Sequence, residues 1–243
     1  MKPYFTALLF AALLNAPANA QDEPPFSSER PSFSSSPFAL ATGFWQFEGG
    51  YAYTKGPGSG ASSHTVPNGL LRWGFAPRFE VQLNWVGYRR DRISGASVSG
   101  ATDAELGVKW QITPDDAGFA VGLYGGVSLP VGDDAFTSDD NDPKLGVFFS
   151  HTNGLFGAAT HSWSDGGNTL ATGLGWSFTP FGEVGSFVEW QATVPEHGSS
   201  SHALATALTW MVGSSLQLDV NASVGLDDDA ADYVLGAGLA TRW

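Results

Sequence analysis

Phe79, Val81, Leu83 and Trp85 alternate, residue by residue, with Glu80, Gln82 and Asn84. A period of two puts one set on each face of a β-strand, because successive side chains point to opposite sides. The pattern returns in 104–112, where Ala104, Leu106, Val108, Trp110 and Ile112 alternate with Glu105, Gly107, Lys109 and Gln111. It returns again in 215–224, where Leu216, Leu218, Val220, Ala222 and Val224 alternate with Gln217, Asp219, Asn221 and Ser223. Helix signals are scarce. A chain built this way is all-β, with one apolar and one polar or very small face on each strand.

Composition decides which face meets water. Charged residues make up only 14 % of the 243, while aromatic residues make up 13 %. Soluble domains carry roughly 25 % charge. A soluble sandwich would bury its aromatics near strand centres and would need more charge outside, so the apolar faces are expected to meet lipid. Twelve segments fit the pattern: 43–54, 66–75, 79–88, 104–112, 117–129, 143–150, 155–163, 169–179, 183–193, 202–211, 215–225 and 232–243. In 155–163 the inward face cannot be chosen. Connections alternate between short turns (Ala76-Pro77-Arg78, Val212-Gly213-Ser214) and longer polar loops such as 55–65, 89–103 and 130–142. An even strand number with short turns on one side and long loops on the other predicts a transmembrane up-and-down antiparallel β-barrel of about 12 strands, both termini periplasmic.

The aromatics support this independently. Trp45, Trp73, Phe75, Phe79, Trp110, Phe119, Phe149, Trp176, Phe178, Trp210 and Trp243 fall at short-turn ends. Tyr51, Tyr53, Trp85, Trp163, Trp190 and Tyr233 fall at long-loop ends. Two aromatic girdles around an aliphatic band are expected at two water–lipid interfaces.

Residues 1–20 read as a signal peptide. Lys2 is followed by the apolar stretch TALLFAALL, too short to span a bilayer, and Ala18-Asn19-Ala20 is a cleavage site that predicts a mature start at Gln21. The expected location is the outer membrane. Residues 21–42 (PPFSSERPSFSSSPF at their centre) form a Ser/Pro-rich arm, and 43–243 the barrel. The arm is expected to be a loose periplasmic tail. Its length also permits a luminal plug, anchored by Phe26, Phe33 and Phe38.

With each backbone group satisfied in the ladder, chemistry falls to inward side chains. The predicted lumen-lining charges are Glu48, Arg72, Glu80, Glu105, Lys109, Lys144, Glu183, Glu189, Asp219 and Arg242. They would line either a solute path or a salt-bridge network that fills it. Their neighbours are Gln46, Gln82, Asn84, Gln111, Tyr124, Gln191 and Asn221. Inward glycines such as Gly107, Gly122, Gly126 and Gly173 would admit solute or let an aromatic lie flat.

Several functions are disfavoured. A net charge of −13 argues against nucleic acid. The absence of cysteine removes thiolate chemistry and disulfides. The acidic loops Asp133-Asp134, Asp139 to Asp142 and Asp227 to Asp229 read as solvated charge, because DDND lacks the spacing and Gly of a calcium loop. No metal or cofactor is expected. The candidate pairs are His151 after Ser150 and His161 beside Ser162; His161 and Ser162 point to opposite faces if both lie within the strand, and so cannot meet there, while His197 and His202 flank a Ser-rich loop. No enzymatic activity is expected, an outer-membrane hydrolase being the weakest alternative. Arg89, Arg90 and Arg92 form the one basic run and read as ordinary loop charge; the alternative is that, facing outward at the membrane surface, they meet anionic lipid headgroups.

Several segments resemble the outer-membrane transporter family labelled "meta-pathway of phenol degradation". These are Pro67 to Phe75 with Arg78-Phe79-Glu80, Asp103 to Trp110 (DAELGVKW), Val127 to Gly132 (VSLPVG), and a tail with Gln217-Leu218-Asp219, Gly225-Leu226, Asp232-Tyr233, Gly236, Gly238-Leu239 and Arg242-Trp243. The resemblance covers about residues 40–243 and departs at Trp243, where the family commonly ends in Phe. It implies a porin-like channel or transporter in a Gram-negative outer membrane, passing small solutes of aromatic or hydrophobic character. It also implies partners in outer-membrane lipid or lipopolysaccharide and the barrel-assembly machinery, with the solute unknown. A closed barrel serving a structural or surface-interaction role is the alternative.

Overall fold

The structure, a computed structural model, describes residues 25–243 apart from Ser59; the expected signal peptide lies outside the described residues. Thirteen strands form one antiparallel sheet. In order they are β1 (Trp45–Lys55), β2 (Ser62–Ala76), β3 (Phe79–Ile93), β4 (Ala96–Ala101), β5 (Ala104–Gln111), β6 (Phe119–Leu129), β7 (Pro143–His151), β8 (Leu155–Ser162), β9 (Thr169–Phe181), β10 (Val184–Pro195), β11 (Ser201–Met211), β12 (Leu216–Gly225) and β13 (Tyr233–Arg242). Each strand pairs with its sequence neighbours except β4 and β5, which both pair with β3, and β1 pairs with β13 from Gln46↔Arg242 to Lys55↔Tyr233, which closes the barrel. β3 gives its lower half to β5 and its upper half to β4, so β4 and β5 share one position and the barrel has twelve staves.

The expected segments coincide with strands, and the polar faces point inward. Leu106, Val108, Leu123, Leu174, Val188, Leu208 and Val220 are exposed on the outer wall. Closure exposes them because the only dry surface available to them is lipid hydrocarbon. The girdles are built as stacked pairs: Trp45 on Trp73 at 5.3 Å, Phe79 on Trp110 at 5.7 Å and Phe119 on Phe149 at 5.8 Å at the short-turn end. In β8, Lys144↔Ser162 pairing sets the face that the sequence left open: Phe156, Ala158, Thr160 and Ser162 point in.

The extracellular side corrects the expected loops at 55–65 and 89–103. β1 runs on to Lys55, β2 begins at Ser62, and β3 continues to Ile93 before turning back as β4. The turn is Ser94-Gly95, both at positive φ (50° and 88°), the geometry a two-residue hairpin needs. These extensions rise beyond the aliphatic band, and ladder hydrogen bonds hold them without any apolar alternation.

The 130–142 loop folds over β4. Asp133 accepts the Ala101 N–H at 2.8 Å, and Asp103 accepts those of Gly132 (2.9 Å) and Ser138 (2.8 Å). Burial pushes the Asp103 carboxyl up, but these N–H donors outweigh it and hold the group below its ordinary range. A carboxylate shifted down stabilises the loop fully above its unfolded pKa, about 3.9, and loses that contribution as pH falls through the folded value. Protection of the Gly132 and Ser138 amides against exchange, relative to their intrinsic rates at each pH, is therefore expected to fall below about pH 4, and Asp103→Asn to lower it at neutral pH.

Candidate functional site

The inward face of a twelve-stave barrel encloses a lumen, and this one is occupied by the chain's own arm. Residues 25–42 enter at the periplasmic mouth, cross the lumen and return to the same mouth at β1. The expected loose tail is thus corrected: the arm is a plug. Its anchors are mainly backbone groups satisfied by wall side chains. Glu48 on β1 accepts the N–H of Glu29 (2.9 Å) and of Arg30 (2.8 Å). Glu189 on β10 accepts those of Phe33 (2.9 Å) and Ser34 (2.8 Å). Gln111 Oε1 accepts the Ala39 N–H at 3.0 Å, and Glu80 accepts the Leu40 N–H at 2.5 Å. Serine and proline suit such a segment because it forms no sheet of its own and needs little internal packing.

Arg72 is the hub. Its guanidinium grips Glu80 with two bonds (3.0 and 2.8 Å), reaches Glu48 at 3.1 Å, and donates to the Ser27 carbonyl at 2.8 Å and the Phe38 carbonyl at 3.3 Å. Glu29, from the arm, lies 3.2 Å from Arg72 and is also held by Lys109, which stands 3.6 Å from Glu80. Arg72, Glu48, Glu80, Lys109 and Glu189 are all 0 % exposed. Three carboxylates (Glu29, Glu48, Glu80) thus meet two cations here, and the arm's N–H groups supply the remaining positive dipoles. Buried charge needs such complete pairing. Two staves from β1, Arg30 pairs with Asp219 on β12 at 3.0 Å. At the mouth, Arg242 donates to the Pro25 carbonyl and lies over the rings of Phe26 and Phe44.

Some inward glycines have the expected use of making room for an aromatic, and others make room for the arm, a use the sequence did not suggest. A Cβ on Gly107 or Gly126 would strike the Tyr124 ring or hydroxyl, and one on Gly175 the Phe156 ring. A Cβ on Gly74 would stand 2.2 Å from the Ala41 carbonyl oxygen, on Gly122 2.6 Å from that of Pro37, and on Gly238 2.4 Å from Arg30 Nη2. The wall is therefore carved for aromatic side chains at some levels and for the arm at others.

Above the plug lies a cavity of about 560 Å³, within the size range of small-molecule sites. Glu29 to Phe33 form its floor, amides (Asn68, Gln82, Asn84, Asn221) much of its wall, and Phe33, Tyr124 and Phe148 its aromatic surfaces. Tyr124 donates to Glu105 at 2.7 Å, and Glu105 pairs with Lys144. Lys144 and Glu105 are partly open to the cavity, with 32 % and 17 % of their side chains exposed.

The predicted lumen residues are therefore brought together in two groups. Glu48, Arg72, Glu80, Lys109, Glu189, Asp219 and Arg242 hold the arm, while Glu105 and Lys144 line the cavity. Glu183 belongs to neither: it sits exposed in the Gly182–Glu183 turn between β9 and β10, beyond the strand whose alternation was extended through it. Sequence reasoning missed Glu29 and Arg30, which lie outside any periodic segment. An excess of inward carboxylates over inward cations was the available sign that something else enters the lumen.

The histidines and serines do not converge. His161 packs on Trp163 at 4.4 Å and His202 on Trp190 at 5.6 Å, both on the outer wall, and His151 Nδ1 accepts the Asn153 N–H in a periplasmic turn. No Ser–His hydrogen bond is present among the described residues.

Among solved structures, the COG4313 outer membrane channel from Pseudomonas putida F1 matches at TM-score 0.60 with 12 % identity, covering 86 % of this chain and 98 % of that one. The NanC porin matches at 0.54 with 11 % identity (81 % and 98 % covered), and the KdgM porin, solved in complex with disordered oligogalacturonate, at 0.51 with 11 % identity (82 % and 98 %). These likenesses show a shared fold, that of outer-membrane barrels. Among curated proteins no sequence matches. The family model described as "Putative MetA-pathway of phenol degradation" matches residues 28–243, a span that takes in most of the luminal arm as well as every strand, and the chain belongs to that family.

Proposed function

We propose that this protein is an outer-membrane channel for small solutes, closed at rest by its own arm. The observation that carries the reading is the arrangement in depth. A cavity of about 560 Å³ stands over a floor that is tethered by hydrogen bonds and ion pairs. Its cations are matched, Lys144 by Glu105 and Arg30 by Asp219, which disfavours polyanionic solutes. Amide groups beside Phe33, Tyr124 and Phe148 suit small, uncharged, polar or aromatic molecules. The residues act by shape and potential, with no covalent step.

The test exploits the absence of cysteine. Ser34 Oγ lies 2.5 Å from where a Cβ on Gly173 would stand, so the pair Ser34→Cys with Gly173→Cys is placed to cross-link arm to wall. In proteoliposomes, uptake of small neutral aromatic solutes is expected in the reduced protein and is lost on oxidation. Equal uptake in both states would remove the arm from the conduction path. A permanently closed structural barrel is the second reading, favoured by how completely the arm's backbone is satisfied; it requires no uptake in either state.

A further inference from the structure

Away from the lumen, the extracellular extension of β1–β4 carries a surface that the channel has no use for. β1 pairs with β13 without interruption from Gln46 to Lys55. With Gln46, Glu48 and Gly50 inside, Tyr51, Tyr53 and Lys55 therefore face out. His64 is the register partner of Tyr53, its ring 5.0 Å from Tyr53 and 6.0 Å from Tyr51, with Nδ1 2.5 Å from the Tyr51 hydroxyl. Across the next ladder, Val66, His64 and Ser62 pair with Tyr88, Arg90 and Arg92, which places these three on the same outward face. The Tyr88 hydroxyl bonding Ser99 on β4 at 2.8 Å extends that face by one strand.

The residues between them behave differently. Arg89 points the other way, over the Phe136 ring of the 130–142 loop, and pairs with Asp91 at 2.8 Å. Arg90 and Arg92 are exposed and have no ion pair or hydrogen bond among the described residues. In a chain with 24 acids and 11 Lys and Arg, two unpaired arginines on one face, with Lys55 and His64 beside them, are a concentrated exception. Just below them lie Tyr51, Tyr53 and Tyr233 of the upper girdle, the level at which hydrocarbon gives way to headgroups. Residues two apart on a strand are separated by about 7 Å, so both guanidinium forks can reach one phosphorylated headgroup.

We infer that Arg90 and Arg92, flanked by Lys55 and His64, form a docking face for a phosphorylated lipid of the outer leaflet, the lipid A part of lipopolysaccharide. This rests on the barrel lying in the membrane and is independent of whether it conducts. The apolar wall beneath takes the acyl chains, and the arginines take the phosphates.

The test uses the full mature chain in detergent, its fold checked by heat-dependent gel migration. It is titrated with bisphosphorylated lipid A, with dephosphorylated lipid A and with inorganic phosphate, and bound lipid is read by native mass spectrometry. Bisphosphorylated lipid A is expected to bind tightest. Arg90→Gln combined with Arg92→Gln should weaken it at least about tenfold, whereas Arg89→Gln should leave it unchanged. Equal binding by the double variant, equal weakening by Arg89→Gln, or full competition by inorganic phosphate at the same concentration would each overturn the assignment.

Discussion

Deleting residues 25–42 is expected to raise single-channel conductance at least about tenfold over the full mature chain, by turning a plugged barrel into an open one. The wall is independent of the arm. β1 begins at Trp45, and its ladder to β13 contains no arm residue. What deletion removes is the floor, together with the charges of Glu29 and Arg30. The exposed wall then presents five inward carboxylates (Glu48, Glu80, Glu105, Glu189, Asp219) against four cations (Arg72, Lys109, Lys144, Arg242), so the open pore should favour cations weakly. Planar-bilayer recording measures both quantities. A folded, truncated barrel that stays silent would sink the channel reading and leave the structural one.

Arg72→Met is expected to be the most damaging single substitution in the lumen. It deletes the partner of Glu80 and Glu48 while leaving both buried, together with Glu29. Breaking a buried ion pair from one side costs about 3–5 kcal/mol, visible as a lower urea midpoint for the folded band on unheated gels. The same substitution in the barrel lacking residues 25–42 should cost much less, because water then reaches Glu48 and Glu80. This coupling between hub and arm is the quantity a double-mutant cycle isolates. Equal costs in the two backgrounds would mean that Arg72 serves the wall alone.

These two outcomes bear on what the sequence could reveal. Strands that face lipid are legible because lipid imposes period two on residues such as Phe79 to Trp85 and Leu216 to Val224. β4 was not legible: Ala96 to Ala101 lies beyond the lipid band, with Gly100 covered by the 130–142 loop, and nothing there imposes a period. Glu183 was misplaced because alternation says which face a residue takes but not where the strand ends. The inward charges could be named from parity, yet their purpose could not. The arm binds through main-chain N–H groups, which every residue but proline carries, so nothing in Phe33 or Ser34 announces Glu189 as its partner. Gly122 was expected to admit solute or let an aromatic lie flat, and only the fold shows that Pro37 of the arm occupies the space beside it.

The arm's route also sets an order of events during biogenesis. Glu189 lies 156 residues beyond Phe33, and Asp219 lies 189 beyond Arg30. The first segment to be translocated therefore waits for some of the last strands before it has a binding site. Contacts so distant in sequence form late, after loop closure has been accomplished by the ladders. A newly closed barrel then exists for a time with a hydrated lumen, and insertion of the arm is its final maturation step. Cells that accumulate this protein faster than it matures should leak small solutes in proportion, a toxicity of synthesis rate that the finished molecule would not display.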